Sequence, residues 1–327
     1  MEPAAILPTY MNELKMQNNI RVLTHTSDRI VYQIDCIDGS GTVEVFTLFP
    51  GVVLQFHSFH CKSFHLAESK EIGNSLKINF CLEGRMEVRM SDNMFLFMEP
   101  GNLSIDTRKA QDRFQFPCGH YHGVELLFHS SALSTEAPKI LEDFGLTVKQ
   151  VQTRFCRDSK NYVVRADEKF RQLFEAMQTA PAECKIPYLQ LKLMELLLLL
   201  SASEMPKKSD ESSVMTMGQV QIAKQAMEII SADLSKHYSI ESLASSFGIS
   251  PSSLKNYFKG VYGKNISAWL RESRMATASL ALRESNQPVA EIAANVGYEN
   301  ASKFSAAFKN FLGETPLEYR RQSRCGM

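Results

Sequence analysis

The segment LASSFGISPSSLKNYFKGVYG, residues 243–263, has a second copy, IAANVGYENASKFSAAFKNFLG, at residues 292–313. Both copies contain an alanine, a glycine four positions later and a Phe-Lys pair near the end. The matched positions are Ala244 with Ala293, Gly248 with Gly297, and residues 258–259 with residues 308–309. Two copies are too few for a solenoid, which needs about three or more repeats to bury a continuous core. The repeat therefore predicts a pair of similar units within one small domain.

Each copy has the pattern of a helix-turn-helix. The alanine lets two helices cross closely, and the glycine permits a sharp bend after the first helix. In the first copy, Ser250 and Pro251 are the start signal of the second helix, as N-cap and first-turn proline. Residues 265–285, between the copies, contain no Gly or Pro and predict one continuous helix. At about 1.5 Å per residue it would span roughly 30 Å, near the ~34 Å between successive major-groove faces of B-DNA.

Residues 238–322 resemble the DNA-binding domain of the AraC/XylS family of bacterial transcription regulators. Their second half, EIAANVGYENASKFSAAFKNFLGETPLEYRR, follows that family's signature. The signature runs from an I-A-x-x-x-G-[FY] turn through S-x-F-x-x-x-F-K to G-x-x-P-x-x-[YF]-R. The resemblance implies two helix-turn-helix motifs, at about 240–259 and 289–310, whose second helices read two successive major grooves. It also implies a sequence-specific transcriptional regulator, expected to be an effector-responsive activator of a neighbouring operon, with promoter DNA and RNA polymerase as partners.

By the same resemblance, the exposed faces of the two second helices contact DNA. Asn pairs with adenine edges and Lys with guanine or phosphate, whereas Ser is less selective. In the second copy, Ala301 and Ala306 stand where many family members carry longer polar side chains. We therefore expect the first helix to carry most base readout and the second to add phosphate anchoring. The expected contact residues are Ser252, Ser253, Lys255, Asn256 and Lys259 in the first copy, and Ser302, Lys303, Ser305 and Lys309 in the second.

The charge of the chain supports this division only when it is counted by region. The 327 residues carry 36 Lys and Arg against 36 Asp and Glu, and a net charge of zero argues against a nucleic-acid partner. Residues 218–327, however, have a net charge of +4, and residues 1–217 have a net charge of −4. We expect a linker at 205–217, where Pro, Ser and mixed charges replace apolar residues, between domains at 1–204 and 218–327.

The region from 30 to 128 predicts antiparallel β-structure. Short runs rich in Val, Ile and Phe alternate with turn pairs such as Pro50-Gly51 and Pro100-Gly101. Helical patterns follow from about residue 138 to residue 202. The expected fold is therefore a two-domain α+β chain, with an N-terminal cupin-like antiparallel β-barrel with helices and a C-terminal all-α tandem helix-turn-helix domain. Domain order resembles that of AraC-type regulators, whose N-terminal domain binds an effector or mediates dimerisation.

The Leu-rich segment at 189–200 allows two interpretations. Its 12 residues include Lys192 and Glu195 and are too few for a membrane span, which needs about 20 residues. It is either a core helix or the helix through which a homodimer forms. We expect a cytoplasmic protein with no membrane association, because the first 16 residues lack a secretory signal and the seven cysteines include no CxxC pair.

Histidine clusters raise the alternative of a metal-dependent cupin-type enzyme fused to a DNA-binding module. On a strand, His57 and His60 point to opposite faces, and His120 and His122 share a face without an evident carboxylate partner. We therefore interpret them as ordinary strand histidines and expect no catalytic residue, no metal and no cofactor. A repair protein with a reactive cysteine is the remaining rival. Any effector is expected to be a small molecule, and the sequence does not locate its site.

Overall fold

The computed structural model describes residues 19–65, 75–91, 93–107, 113–129, 139–145, 148–156, 162–202 and 214–325. It divides into two compact units, Met1–Val214 and Met215–Met327. Residues 205–213 of the expected linker and the first 18 residues lie outside the described part. The described cysteines whose side chains are placed are free thiols.

The first unit is built on antiparallel strands. Alternate residues of each strand are buried, as in Ile30, Tyr32 and Ile34, because successive side chains point to opposite faces of a sheet. Gly51 and Gly101 adopt φ of 78° and 85° in the turns that the sequence predicts. The strands are β1 (Ile20–His25), β2 (Arg29–Cys36), β3 (Gly39–Phe49), β4 (Val52–His60), β5 (Ser63–His65), β6 (Ser75–Gly84), β7 (Met86–Ser91), β8 (Met94–Met98), β9 (Asn102–Asp106), β10 (Arg113–Gln115), β11 (Tyr121–His129) and β12 (Tyr162–Arg165).

Among the described residues, eight strands form one sheet in the order β1-β2-β3-β4-β11-β6-β9-β12. All pairings given for this sheet are antiparallel. The hairpin β7–β8 and the pair β5–β10 supply further antiparallel strands. One face of the sheet packs with Val88, Leu96 and Phe116, and we call it the inner face. The opposite, outer face packs against helices.

Helices of the first unit cover that outer face. They are α1 (Lys139–Asp143), α2 (Val148–Phe155), α3 (Glu168–Gln178), a 3-10 turn (Ala182–Cys184) and α4 (Lys185–Ala202). Most leucines of α4 are core residues, as the first interpretation of the segment predicts, and the Gln190 amide donates to the Leu48 carbonyl at 2.6 Å. Leu191 and Leu198 are exposed, at 65% and 47%. They are seven residues apart and therefore lie on one side of the helix.

The second unit is helical apart from β13 (Val214–Thr216) at its start. Its helices are α5 (Met217–Ala232), α6 (Ile240–Ser246), α7 (Pro251–Tyr262), α8 (Ile266–Glu284), α9 (Val289–Asn295), α10 (Ala301–Leu312) and α11 (Pro316–Cys325). The two-domain α+β class, with an antiparallel N-terminal domain and an all-α C-terminal domain, is confirmed. The described strands do not include a pairing of β1 with β12 that would close the eight-stranded sheet. No helix within the described ranges is both long enough and apolar enough to span a bilayer.

Candidate nucleic-acid interface

The first helix-turn-helix consists of α6 and α7. Helix α6 ends at a bend in which Gly248 has φ of 66° and the Ile249 amide donates to the Ala244 carbonyl at 3.1 Å. The Ser250 hydroxyl then accepts from the Ser253 amide and caps α7. Leu254 and Phe258 are fully buried and fix which side of α7 faces the domain. The opposite side of α7 is left to solvent.

The second motif, α9 and α10, repeats this turn and its central hydrogen bond. Gly297 has φ of 80°, and the Tyr298 amide donates to the Ala293 carbonyl at 2.8 Å. The Asn300 side chain caps α10 by accepting from the amides of Ser302 and Lys303. Helices α7 and α10 both span 12 residues and end at a left-handed glycine. The sequence repeat is therefore a structural repeat with two equivalent exposed helices.

Helix α8 connects the two motifs. It begins after the N-cap Asn265 and ends at Ser285, so the predicted helix is confirmed. Its 19 residues span about 28 Å at 1.5 Å per residue. Arg274 on α8 donates from Nε to the Leu234 carbonyl at 2.8 Å and from Nη2 to the Lys236 carbonyl at 3.0 Å. The same guanidinium lies 5.9 Å from the ring centroid of Tyr298, so it contacts segments that precede α6 and α10.

The predicted contact residues divide into an exposed set and a half-buried pair. Ser253 and Ser305 are half-buried, and their hydroxyls bond within the helix, to the Ser250 hydroxyl at 2.9 Å and the Ala301 carbonyl at 2.8 Å. The exposed residues are Ser252, Lys255, Asn256 and Lys259 on α7, and Ser302, Lys303 and Lys309 on α10. Each helix thus presents two lysines to solvent.

The two helices differ in the chemistry of their exposed faces. Superposing the repeat brings Lys255 opposite Ser305 and Asn256 opposite Ala306. The Asn256 amide can both donate and accept, as recognition of an adenine edge requires. Ala306 has no polar side-chain atom, and the Ser305 hydroxyl is already used by its own helix. Helix α7 is therefore the better equipped of the two to distinguish bases.

Helix α10 is bordered by a fixed carboxylate. The Thr315 hydroxyl donates to Glu318 Oε2 at 2.7 Å, and the Thr315 amide donates to the same oxygen at 2.8 Å. These bonds, with the nearby charges of Lys309 and Arg321, hold the pKa of Glu318 below its usual range. Glu318 therefore remains charged near neutral pH and partly offsets the charge of Lys309.

The repeat is similar to parts of known proteins. A helix-turn-helix domain family model matches residues 243–322. The arabinose operon regulatory protein of Salmonella typhimurium is 33% identical over 98 residues, which are 30% of this chain and 35% of that protein. A putative AraC-like transcription regulator of Streptomyces antibioticus is 33% identical over 100 residues, 31% of this chain and 33% of the relative.

Residues 243–322 of the second unit thus match a helix-turn-helix domain family, and the chain is similar over about a third of its length to these AraC-type regulators.

These relatives match about a third of this chain. Transcriptional regulator Rob of Salmonella typhimurium, for example, is 31% identical over 107 residues, which are 33% of this chain and 37% of Rob. The chain thus spans about a third of the length of the curated relatives that it matches. Among solved structures, the C-terminal domain of AraT from Geobacillus stearothermophilus is 33% identical, with a TM-score of 0.30, covering 31% of this chain and 84% of that one.

The histidines form two groups outside the AraC-type domain, on opposite faces of the β-sheet. His57 lies on the inner face with Gln55. His60 lies near His122, with ring centroids 5.1 Å apart. The expectation that His120 and His122 lack a carboxylate partner is wrong, because the register places His122 beside Glu83. His122 Nδ1 is 3.4 Å from Glu83 Oε2, and His120 Nε2 is 3.8 Å from Glu83 Oε1.

A metal centre is not assembled from these groups. Within the described ranges, no three His, Cys, Asp or Glu side chains are arranged to hold a metal ion. Burial lowers the pKa of His122, and the charge of Glu83 counteracts this. The neighbouring carboxylate was missed in the sequence because Glu83 is 39 residues from His122 and only strand register joins them.

The sequence also yielded no prediction for Arg274 and Glu125. Arg274 resembles any helical arginine in the sequence, since its carbonyl partners lie 40 and 38 residues away. Glu125 lies between Val124 and Leu126 in β11, and that single carboxylate among apolar neighbours was the available signal.

Proposed function

We propose that the protein is a sequence-specific DNA-binding transcriptional regulator that reads two successive major grooves with α7 and α10. The observation that carries the proposal is the duplicated helix-turn-helix, whose equivalent helices both present lysines to solvent. Several relatives of the AraC-type domain are named as regulators of transcription, which supports the same function. The proposal assigns the chain no catalytic step.

Within this function, α7 carries most of the base recognition. Asn256 and Lys255 supply side chains that discriminate bases, while Ser252 and Lys259 flank them on the same face. Helix α10 binds the phosphate backbone of the DNA through Ser302, Lys303 and Lys309. Ser305 contributes little, because its hydroxyl bonds to its own helix. Phosphates favour the amino-terminal end of a helix because free amides and the helix dipole meet there.

The whole chain is proposed to act as an effector-responsive activator of a neighbouring operon. Its partners would be promoter DNA, RNA polymerase, a small-molecule effector and a second copy of the chain, within the cytoplasm. Leu191 and Leu198 on the exposed side of α4 support the dimer, because apolar side chains are stabilised when a second surface covers them. The net charge of −4 over residues 1–217 supports a role for that half away from DNA.

Footprinting with the full chain tests the proposal. The intergenic region beside its own gene should show protection over two consecutive helical turns at low salt. The variant Lys255→Ala/Asn256→Ala should lose the protection, whereas the control Thr277→Ala, an exposed position on α8, should keep it. If the unaltered chain gives no protection on any candidate DNA at low salt, with or without small-molecule extracts, DNA binding is excluded as its function.

A further inference from the structure

A row of polar side chains crosses the inner face of the sheet in the first unit. Strand register places Glu125 of β11 between Gln55 of β4 and Asn79 of β6. Ser104 of β9 continues the row beyond Asn79. Gln55, Asn79 and Ser104 are buried, at 4%, 4% and 7% exposure. Burying polar groups costs free energy unless they are satisfied, so a row of this kind requires an explanation.

Hydrogen bonds account for one side of this row. The Tyr121 hydroxyl donates to Asn79 Oδ1 at 2.7 Å, and Asn79 Nδ2 donates to Glu125 Oε2 at 3.3 Å. His57, two residues along β4 from Gln55, donates from Nε2 to Gln55 Oε1 at 3.0 Å. These bonds hold Glu125 and His57 in fixed orientations.

Two acceptor atoms of the same cluster have no partner within the described part of the chain. They are Oε1 of Glu125 and Nδ1 of His57, since the bonds to Asn79 and Gln55 use Oε2 and Nε2. Both side chains retain partial exposure although Gln55, Asn79 and Tyr121 around them are buried. Accessible space therefore remains beside both side chains on the inner face.

The protonation states of the pair agree with such an enclosed position. Burial raises the pKa of Glu125 to about 7, against the lowering effects of Lys77 and the hydrogen bond from Asn79, with Asp106 adding to the rise. Burial lowers the pKa of His57 to about 4, so its ring is neutral at pH 7 and Nδ1 carries a lone pair. Lys77 and Asp106 are register partners, and Lys77 lowers the pKa of Glu125 more than Asp106 raises it.

The same inner face carries an aromatic cluster. Phe59 stacks on Phe116 with ring centroids 5.1 Å apart, and Phe116 stacks on Tyr121 at 5.4 Å. Tyr121 joins the two regions, because its ring belongs to this stack and its hydroxyl to the polar row. A ligand reaching both regions would place a polar head beside Glu125 and an apolar body along the rings.

We propose that this space binds the effector, and that the effector is a small primary amine with an apolar body, held as its ammonium ion by Glu125 Oε1 and His57 Nδ1. The assignment rests on the proposed function, in which an effector acts on the first unit. Glu125 and His57 are diagonal neighbours on antiparallel strands, whose Cα atoms are about 7–8 Å apart. One ligand nitrogen at about 2.9 Å from each acceptor atom can therefore bridge the two side chains.

The two open acceptors select this chemical class. An ammonium group has three donors and a positive charge, so it satisfies both atoms and neutralises Glu125. A hydroxyl has one donor and leaves one acceptor unsatisfied, and a carboxylate ligand would meet two acceptors and a like charge. The aromatic rings then favour an apolar body on the amine.

Calorimetric titration of the full chain at pH 7 tests the class directly. The probes are butylamine, hexylamine and 2-phenylethylamine, each compared with the alcohol and the carboxylate of the same length. At least one amine should bind, at least tenfold more tightly than its two analogues. Binding of no amine, or equal binding of an alcohol or carboxylate, overturns the assignment.

Substitution at the site provides the second arm. Glu125→Gln keeps the size of the side chain and removes its charge, so amine affinity should fall at least tenfold. The matched control is Glu83→Gln, on the neighbouring strand β6 but exposed on the outer face, which should bind as the unaltered chain does. Equal amine affinity of Glu125→Gln and the control overturns the role of Glu125.

Proton release keeps the test valid if Glu125→Gln does not fold. An ammonium ion draws Glu125 into its ionised form, so binding to the unaltered chain should release about one proton at pH 6 and almost none at pH 8.5. Equal release at the two pH values contradicts the proposal. Footprinting without amine is independent of all three measurements. DNA protection without amine binding would overturn only the effector assignment. Amine binding without DNA protection would overturn only the proposal that the protein regulates transcription.

Discussion

Arg274 of α8 contacts both helix-turn-helix motifs, through the segment before α6 and through the turn before α10. Its guanidinium bonds to carbonyls ahead of the first motif and lies over Tyr298 in the turn of the second. A Cβ at Gly297 would approach the Arg274 Nη2 to 2.6 Å, so the glycine is required both by its φ of 80° and by the arginine. One side chain thus constrains the orientation of α7 relative to α10.

Replacing Arg274 should loosen that orientation. Arg274→Met leaves the carbonyls of Leu234 and Lys236 without these donors, so we expect a loss of about 1–3 kcal/mol in the free energy of unfolding. Denaturant unfolding measures the loss, and Arg271→Met, at an exposed position on the same helix, is the matched control. On DNA, the variant should tolerate an extra base pair between its two half-sites better than the unaltered chain does. Equal stability of the two methionine variants would argue against the constraint.

His57 and Glu125 give the stability of the first unit opposite dependences on pH. The folded pKa of His57, about 4, lies below its unfolded value, so its share of stability is present above about pH 6.5 and is lost as pH falls toward 4. The folded pKa of Glu125, about 7, lies above its unfolded value, so its share is present below about pH 4.5 and is lost as pH rises through 7. Each contribution is on the order of 3 kcal/mol at full extent.

Variants should separate these two contributions. His57→Gln should make the decline in unfolding free energy between pH 6.5 and 4 less steep. Part of the decline should remain, because burial also lowers the pKa values of His122 and His129. Glu125→Gln should stabilise the chain at pH 8 and change little at pH 5. Thermal and denaturant unfolding across this pH range would show both effects, and a destabilised Glu125→Gln at pH 8 would contradict the account.

At the scale of elements, α7 and α10 have the same backbone and different recognition chemistry. Asn256→Ala removes a side-chain amide that faces solvent on α7. We therefore expect the free energy of operator binding to weaken by about 1–3 kcal/mol and the base preference to relax at one base pair. Ser305→Ala on α10 should change the affinity less than twofold, because its hydroxyl already bonds to Ala301. Equilibrium binding to a library of single-site operator variants measures both. A greater loss of base preference from Ser305→Ala would reverse the assignment of the two helices.

The sequence predicted these elements well because their signals are local. Gly248, the cap Ser250 and the buried Leu254 lie within seven residues, and each independently indicates the same turn and helix. The repeat supplied a second copy of every signal. Side-chain exposure of most predicted contacts followed from helical periodicity alone, since Leu254 and Phe258 fix the buried side.

The β-rich unit was predictable as strands but not as a site. Alternation shows which residues share a face of one strand, whereas the register between strands decides which residues meet. Glu125 reaches Gln55 and Asn79, 70 and 46 residues away, only through the pairings of β11 with β4 and β6. The same limitation concealed the contact of His122 with Glu83. Short apolar runs likewise did not predict β12, which pairs with β9 across a long sequence separation.

At the scale of the whole molecule, the exposed side of α4 bears on assembly. Leu191 and Leu198 are exposed while the other side of the helix is buried in the first unit. Replacing both by Asp should convert a dimer to a monomer in sedimentation velocity while the far-ultraviolet circular dichroism of the chain stays unchanged, because neither side chain is buried in the first unit. Glu195→Gln, exposed between them, is the control. A monomeric unaltered chain would exclude dimerisation through this helix.

The separation of charge between the two halves predicts how the chain binds DNA without regard to sequence. Residues 218–327 carry a net charge of +4 and residues 1–217 carry −4, so the first half should repel phosphates that the second attracts. A fragment of residues 214–327 should therefore bind random duplex DNA more tightly than the full chain at 20 mM salt. The difference should vanish above about 0.15 M salt, where the Debye length falls to about 8 Å. Fluorescence anisotropy over a salt series measures it. Each lost phosphate contact lowers the slope of log affinity against log salt by about 0.9. Lys309→Ala should therefore lower that slope equally in the fragment and in the full chain. A change in only one of them would show that the acidic half alters the DNA contacts themselves and not only the electrostatic field around them.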